Sequence, residues 1–319
     1  MPGDPVRYLS RADVEAVGLS GVEVIEILEA AFRAKRAGDV EMPPKIGVHP
    51  RDDAFIHAMP AYLSDSDAVG LKWVAGYPSN QPLGIPYIHG LLLLSDAGSG
   101  RPLAVMDATW ITEVRTAAAS MLGIRALAEG PVEAIGILGC GRQGHVHLEL
   151  AEQVFPTLRR AQLFDRHPER AAALAAAHPK LETQVASAAD EIGPGAHVVV
   201  TSAAIVRQPE RPLRRAHLTD ATVACAVDFD ATLSEDLFED AGLFVVDDVA
   251  QYRYYRQQGY FAGYPPDAAE LADVLAGTSP APRGLKVYVP LGIALEDVAV
   301  AAEVNRRAAD AGLGQELPL

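Results

Sequence analysis

The sequence predicts an α/β protein: a Rossmann-type, doubly wound domain inserted in a second, α+β substrate-binding and dimerisation domain. Three observations predict it. Residues 133–247 alternate short apolar runs with helical patterns. A glycine-rich turn joins the first of those runs to its helix. The segments on either side lack that alternation. The expected boundaries are 1–125 for the first part of the second domain, 126–284 for the inserted domain and 285–319 for the return. A length of 319 residues fits two domains at roughly 150 residues each.

The elements follow in chain order. Residues 22–36 place apolar side chains at helical spacing and read as an amphipathic helix. Strands are expected at 55–59, 70–75 and 88–94, and a long helix at 110–128. The run Gly90-Leu91-Leu92-Leu93-Leu94 reads as a buried strand, far short of the ~18 apolar residues of a membrane span. The central block opens with a strand at 133–138 and a helix at 143–155. A second strand at 160–165 precedes a helix that Pro168 opens, at the position where proline is tolerated. Core strands are expected at 197–201, 222–227 and 243–247. Proline-containing loops at 263–267 and 279–284 lead to a strand at 286–289 and a closing helix at 293–311.

Composition limits the function classes. There are 27 Lys+Arg against 42 Asp+Glu, a net charge of −15. Nucleic-acid binding needs a basic surface, so it is not expected. Two cysteines, Cys140 and Cys225, make neither a disulfide framework nor a metal site. The opening residues, MPGDPVRYLS, lack the apolar stretch of a signal peptide. The expectation is a soluble, cytoplasmic protein with no membrane partner.

Gly139-Cys140-Gly141-Arg142-Gln143-Gly144 is a G-x-G-x-x-G that follows a strand and opens a helix. Its glycines permit a tight turn, let a pyrophosphate approach the backbone, and let helix and strand pack closely. Asp165 ends the second strand, 21 residues after Gly144. A carboxylate there can take the ribose hydroxyls of an adenosine and would repel a 2′-phosphate, which favours NAD over NADP. Arg166, the next residue, is either a partner for that phosphate or a solvated arginine beside the adenine.

Three cations stand out in the first domain: Lys45 after Met42-Pro43-Pro44, Lys72 within an apolar strand, and Arg115 within an apolar helix. A buried cation must be paired. The partner is either a substrate carboxylate or a protein acid such as Glu113. Asp228 and Asp230 follow an apolar strand, at the carboxyl end of the sheet where open α/β folds bind ligands. They serve either chemistry or a turn; Asp230 is placed to cap a helix starting near Ser234.

These residues resemble the ornithine cyclodeaminase/mu-crystallin family. The matching stretches are Met59-Pro60-Ala61-Tyr62, Gly70-Leu71-Lys72, Gly76-Tyr77-Pro78-Ser79-Asn80, Leu103 through Thr112, Arg115 through Ser120, Gly139 through Gln143, and Gly292-Ile293-Ala294-Leu295-Glu296-Asp297. The resemblance implies a homodimeric, NAD(P)-dependent enzyme acting at the C–N carbon of amino acids or cyclic imines. It implies that Lys45, Lys72 and Arg115 grip the substrate carboxylate and that Asp230 works at the reacting carbon. The chain departs from the cyclodeaminase pattern at four of these positions. Lys45 replaces an arginine, His57 a glutamate that holds a distal amine, Asp228 a glycine, and Ser234 a lysine. His57 therefore argues against ornithine as substrate.

Three functions compete. The first is hydride transfer between NAD(P)H and an imino or amino acid, with Lys72 also placed to help proton transfer and Asp230 hydrogen-bonded to the nitrogen. The second is cyclodeamination on tightly held NAD with loss of ammonia. The third is a non-catalytic, crystallin-like binding protein. The stretch 252–264, rich in tyrosine, either shapes specificity or packs under a loop.

Overall fold

The computed structural model describes residues 5–206, 208–279 and 283–319. The chain first forms β1 (Val6–Leu9), α1 (Arg11–Ala16), α2 (Gly21–Ala37), β2 (Val40–Glu41), β3 (Ile46–Val48), β4 (Phe55–Leu63), β5 (Ala68–Gly76), β6 (Ile88–Asp96), β7 (Pro102–Asp107) and α3 (Thr109–Leu127). The alternating block follows: β8 (Ala134–Leu138), α4 (Arg142–Val154), β9 (Arg160–Phe164), α5 (Pro168–Ala177), β10 (Glu182–Val185), β11 (Val198–Thr201), β12 (Val223–Ala226), β13 (Leu243–Val246), α6 (Val249–Gln257), β14 (Ala269–Glu270), α7 (Leu271–Leu275) and β15 (Lys286–Val289). The chain closes with α8 (Ala294–Ala311) and β16 (Gln315–Leu317).

Two units result. One comprises Met1–Arg115 and Gly292–Leu319, the other Thr116–Leu291. The division falls inside α3, at 115/116 and not at 125, because a single helix runs on through the boundary. The return falls at 291/292 and not at 284, since β15 pairs within the second unit's sheet. Of the loop expected at 279–284, residues 280–282 lie outside the described residues.

The first unit is built on an eight-stranded sheet in the order β16-β1-β7-β6-β5-β4-β2, with β3 also on β4. Only β1 and β7 run parallel; the other pairs are antiparallel. The central strands extend past the expected ends because each turn residue still finds a ladder partner; β4 and β5 pair from Phe55↔Gly76 to Leu63↔Ala68. One face packs on α8, and α2 packs in turn on α8. Side chains alternate across a strand, so residues 90–94 are not uniformly buried: Leu92 and Leu94 are covered, whereas Leu91 is 49% exposed. Register puts Leu91 beside Trp73, Trp73 beside Ala58, and Ala58 beside Ile46. Ile46, Trp73 and Leu91 are all exposed and share the outer face.

The second unit is an eight-stranded parallel sheet in the order β10-β9-β8-β11-β12-β15-β13-β14. Its central strands are short and buried on both faces, so they read as unbroken apolar runs (AIGIL, VVVT, VACA). Strand order reverses between β8 and β11, which creates the crevice that open parallel sheets use for ligands.

Candidate active site

At the carboxyl end of β8 the three glycines of the turn have three different physical reasons. Gly139 has φ 93°, and a Cβ there would lie 2.6 Å from the Ser202 carbonyl oxygen. At Gly144 a Cβ would collide with the Gly139 carbonyl, so glycine lets α4 sit against the turn. Gly141 is different: its φ is −80° and a Cβ would meet nothing within 4 Å. No protein atom requires glycine there; the missing Cβ leaves a cradle for something outside the chain. Gly141 is also the N-cap of α4 and carries no capping side chain, so the first amides of the helix face outward with its positive dipole. These features fit a pyrophosphate group. The buried Gln143 Oε1, which has no hydrogen-bond partner, is an acceptor and suits a hydroxyl or amide donor, not a phosphate oxygen. Arg142 is exposed on the first turn of α4.

The switch point is closed tightly. Ser202 donates from its amide to the Leu138 carbonyl (2.8 Å) and from Oγ to the Gly139 carbonyl (2.9 Å). Asp165 accepts from the Cys140 amide at Oδ2 and from the His167 amide at Oδ1, both at 2.8 Å. It therefore stands beside the turn with its remaining lone pairs available to hydroxyl donors. Arg166 is solvated and pairs with Glu210 at 2.8 Å, both largely exposed. The Cys140 thiol is pushed up to about 12 by burial and by Asp165, which keeps it protonated.

The two aspartates after β12 have separate environments. Asp228 is buried and takes Thr201 Oγ1 (2.7 Å), the Ala203 amide (2.9 Å) and Thr232 Oγ1 (3.0 Å). Burial raises its pKa to about 6, against those three donors. Asp230 does not cap the turn at Glu235–Phe238, which begins after Ser234. Its Oδ2 instead accepts from Arg211 Nη2 (2.6 Å) and from the Phe261 amide (3.0 Å). Asp230, Val206, Gln258, Gly259 and Tyr260 line a cavity of about 120 Å³. The tyrosines of 252–264 are mostly core: Tyr252, Tyr255 and Tyr264 pack with Phe229, Phe244 and Phe261.

In the first unit, Lys45, Lys72 and Arg115 are all buried. Their common point is the start of α8. Arg115 donates from Nη1 to Glu296 Oε2 (2.7 Å) and from Nε to Asp297 Oδ1 (2.9 Å), while Lys72 Nζ lies 2.6 Å from Asp297 Oδ2. Lys45 Nζ donates to the Gly292 carbonyl at 3.0 Å. Gly292 has φ 68°, and a Cβ there would lie 2.7 Å from Arg115 Nη1, so glycine admits the guanidinium. The protein acids paired with the cations are thus Glu296 and Asp297. Glu113, the acid adjacent in sequence, accepts from Arg11 at 3.2 Å. Burial lowers the Lys72 ammonium to about 8; Arg115 pushes the same way, and Asp297 and Glu296 oppose it. Burial raises Glu296, against Arg115 and Lys72, and its Oε1 has no hydrogen-bond partner.

His57 lies on β4 on the same face as Lys72, since Met59 pairs with Lys72 and His57 is two residues away. It stacks on Phe55 at 4.4 Å. Burial, then Lys45, His49 and Lys72, push its pKa down to about 3, so it is a neutral imidazole. Sequence reasoning did not assign Glu296, Asp297, Gly292 or Arg211. The acids had a readable signal: two adjacent carboxylates in the apolar run Ala294–Ala301 must find cations. Arg211 had none, because its partner is set by the path of a loop.

Among the described residues, no His/Cys/Asp/Glu group could hold a metal ion, and no helix is long and apolar enough to cross a membrane. The family model of the ornithine cyclodeaminase/mu-crystallin family matches residues 7–312. The nodulation efficiency protein NfeD of Rhizobium meliloti is 35% identical over 316 residues, covering 97% of this chain and 98% of its own. The structure is similar to that of Thermococcus litoralis Δ1-pyrroline-2-carboxylate reductase in complex with NADH and L-proline. The TM-score is 0.86 at 28% identity, covering 97% of this chain and 99% of that one. It is equally similar to an archaeal alanine dehydrogenase dimer with bound NAD, with a TM-score of 0.87 at 27% identity and coverage of 98% and 99%. On a family match that spans nearly all of its length, the chain belongs to the ornithine cyclodeaminase/mu-crystallin family.

Proposed function

We propose that this protein is an NAD-dependent oxidoreductase that acts on the C–N bond of an amino acid or a cyclic imino acid. The observation that carries the reading is the buried cation cluster at the start of α8. Three cations around Gly292 are far more than the packing of an apolar sheet requires, and a small carboxylate is the anion they suit. NAD supplies hydride exchange when bound. Gly141 and the first amides of α4 would hold its pyrophosphate, with Asp165 on the adenosine ribose and Arg142, Gln143 and Arg166 around it. The carboxylate of Asp165 disfavours the 2′-phosphate of NADP.

Lys45, Lys72 and Arg115 neutralise and orient the substrate carboxylate, an entropic advantage that can reach several kcal/mol. Lys72, with its lowered pKa, is suited to exchange a proton near neutral pH. Asp230 accepts a hydrogen bond from the substrate nitrogen and favours the charged iminium, the better hydride acceptor. Neutral His57 offers no counter-charge to a side-chain ammonium, which sets this reading ahead of cyclodeamination of a diamino acid. A homodimer through the outer sheet face fits the exposed Ile46, Val48, Trp73 and Leu91, and the archaeal alanine dehydrogenase neighbour is a dimer.

The test is a panel of amino and cyclic imino acids with NAD(H) and NADP(H), run in both directions at the nicotinamide absorbance band. Net NADH consumption on an imino acid is expected. Ammonia release with no net change in NADH would install the cyclodeaminase instead, and tight binding without turnover the crystallin-like binder.

A further inference from the structure

Five non-glycine residues among those described take left-handed backbone conformations. Asp53 and Asp67 lie in exposed turns of the first unit, and aspartate tolerates this region. The other three, Arg211 (φ 49°), Phe229 (φ 60°) and Phe261 (φ 60°), belong to the second unit. Each is a strained conformation for a residue that carries a side chain. All three surround one carboxylate. Phe229 immediately precedes Asp230, Phe261 donates its amide to Asp230 Oδ2, and Arg211 donates to the same oxygen and, from Nε, to the Asp230 carbonyl at 3.1 Å.

Arg211 joins three segments at this point. Its Nη1 reaches the Ala262 carbonyl (2.8 Å) and Glu235 (3.0 Å), and its guanidinium lies 5.3 Å over the Tyr264 ring. Burial disfavours its charge, but the bonds to Asp230 and Glu235 outweigh that, so it holds its proton more firmly than an ordinary arginine. A mere loop latch would need only Ala262 and Glu235. Asp230 is where two of the three guanidinium nitrogens converge. Its Oδ2 is therefore committed twice, while Oδ1 has no hydrogen bond among the described residues, and Asp230 lines the cavity.

We propose that Arg211 is the positioning residue of this site: it fixes the Asp230 carboxylate through Oδ2 and so leaves Oδ1 as the oxygen that meets a ligand. The inference rests on the assignment of Asp230 to the substrate nitrogen and deepens it. A carboxylate locked at one oxygen has no rotational freedom left to lose when the substrate arrives, which is how a fixed acceptor contributes to turnover.

The test uses the full chain as Arg211→Ala, Arg211→Lys, Asp230→Asn and the Arg211→Ala/Asp230→Asn double variant. The first readout needs no activity: amide hydrogen exchange at Phe261, whose N–H is held by Oδ2. Exchange is expected to speed up at least tenfold in Arg211→Ala. Unchanged protection there overturns the proposal even if the protein proves inactive on every imino acid, a result that would count against the functional reading alone. The second readout is kcat and KM for NADH-dependent reduction of Δ1-pyrroline-2-carboxylate or whichever imino acid turns over. Arg211→Ala should lower kcat about tenfold or more in the parent and less than twofold in the Asp230→Asn background, with NADH affinity unchanged. Equal losses in both backgrounds mean that Arg211 merely supports the fold, and overturn it. If Arg211→Ala fails to fold, Arg211→Lys decides. It keeps the charge without the fork, and should show faster exchange at Phe261 with a smaller kcat loss; parent-like exchange overturns the proposal.

Discussion

The two places proposed to receive anions are built in opposite ways. In the second unit the cradle at Gly141 uses backbone amides and a helix end that carries no capping side chain. In the first unit the cluster at α8 uses buried side-chain charges and holds them ready with acids of its own, Glu296 and Asp297. The amide cradle demands little of the fold, since unoccupied amides at a helix start are solvated. The side-chain cluster has no such relief: each buried charge must be compensated whether or not a ligand is present. The difference predicts that damage to the cluster appears first in stability, whereas damage to the cradle appears in affinity.

Arg115 is the strongest test of that contrast. Arg115→Leu removes the partner of two fully buried carboxylates and leaves Asp297 to Lys72 alone. Breaking a buried pair on one side costs about 3–5 kcal/mol, read as a lowered midpoint in urea or heat. Activity on any carboxylate substrate should fall with it. A loss below about 1 kcal/mol would mean that the acids neutralise themselves by taking up protons, and would erase the distinction between the two sites.

The same contrast explains what the sequence reveals. The cradle was legible because its requirements are local. The three glycines fall in one short motif between β8 and α4, Gly139 carries its own positive φ and Gly144 meets the Gly139 carbonyl, and β8, α4 and β9 follow one another in the chain; only the contact of Gly139 with Ser202 is distant in sequence. The central strands of the parallel sheet were legible to within a residue or two because burial on both faces leaves an unbroken apolar run, whereas the edge strands β10 and β14, partly exposed and polar, were missed. The pairing of the cluster was not legible. Arg115 and Glu296 are 181 positions apart, and nothing near Arg115 announces a helix that returns after the whole inserted unit. Glu113 looked the better partner because proximity in sequence is all that a linear reading can weigh. Arg211 is harder still, since three left-handed residues set its reach and none is glycine. Residues 90–94 were misread for a related reason: four leucines hide an alternation that only the neighbouring strands impose.

The cradle can be tested against itself. Gly141→Ala and Gly144→Ala make the same chemical change on either side of the turn. At Gly141 the new methyl meets no protein atom and φ is ordinary, so the melting temperature should stay within about 2 °C of the parent. NADH affinity, followed by fluorescence titration, should weaken about tenfold or more, equivalent to roughly 1.4 kcal/mol. At Gly144 the methyl collides with the Gly139 carbonyl, and the melting temperature should fall, with a loss of about 1–3 kcal/mol expected of overpacking. Parent-like NADH binding by Gly141→Ala would show that the open face is not where the pyrophosphate sits.

Lys72 gives the smallest and most discriminating effect, because function and stability should respond to pH with opposite signs. Its pKa is lowered from the ordinary lysine value to about 8, first by burial and then by Arg115. Above about pH 8 the native protein loses this charge while the unfolded chain keeps it until about 10.5. The unfolded state then binds more protons than the native one, so this group's contribution to stability rises with pH between those values. The grip on a carboxylate does the reverse, since a neutral amine attracts no anion, and kcat/KM should fall along an alkaline limb near pH 8. Subtracting the stability of Lys72→Met from that of the parent at each pH isolates the first trend. The kcat/KM profile reports the second, because it follows the unliganded enzyme. A flat profile through pH 9 would place the carboxylate away from Lys72 and leave that lysine as a partner of Asp297 alone.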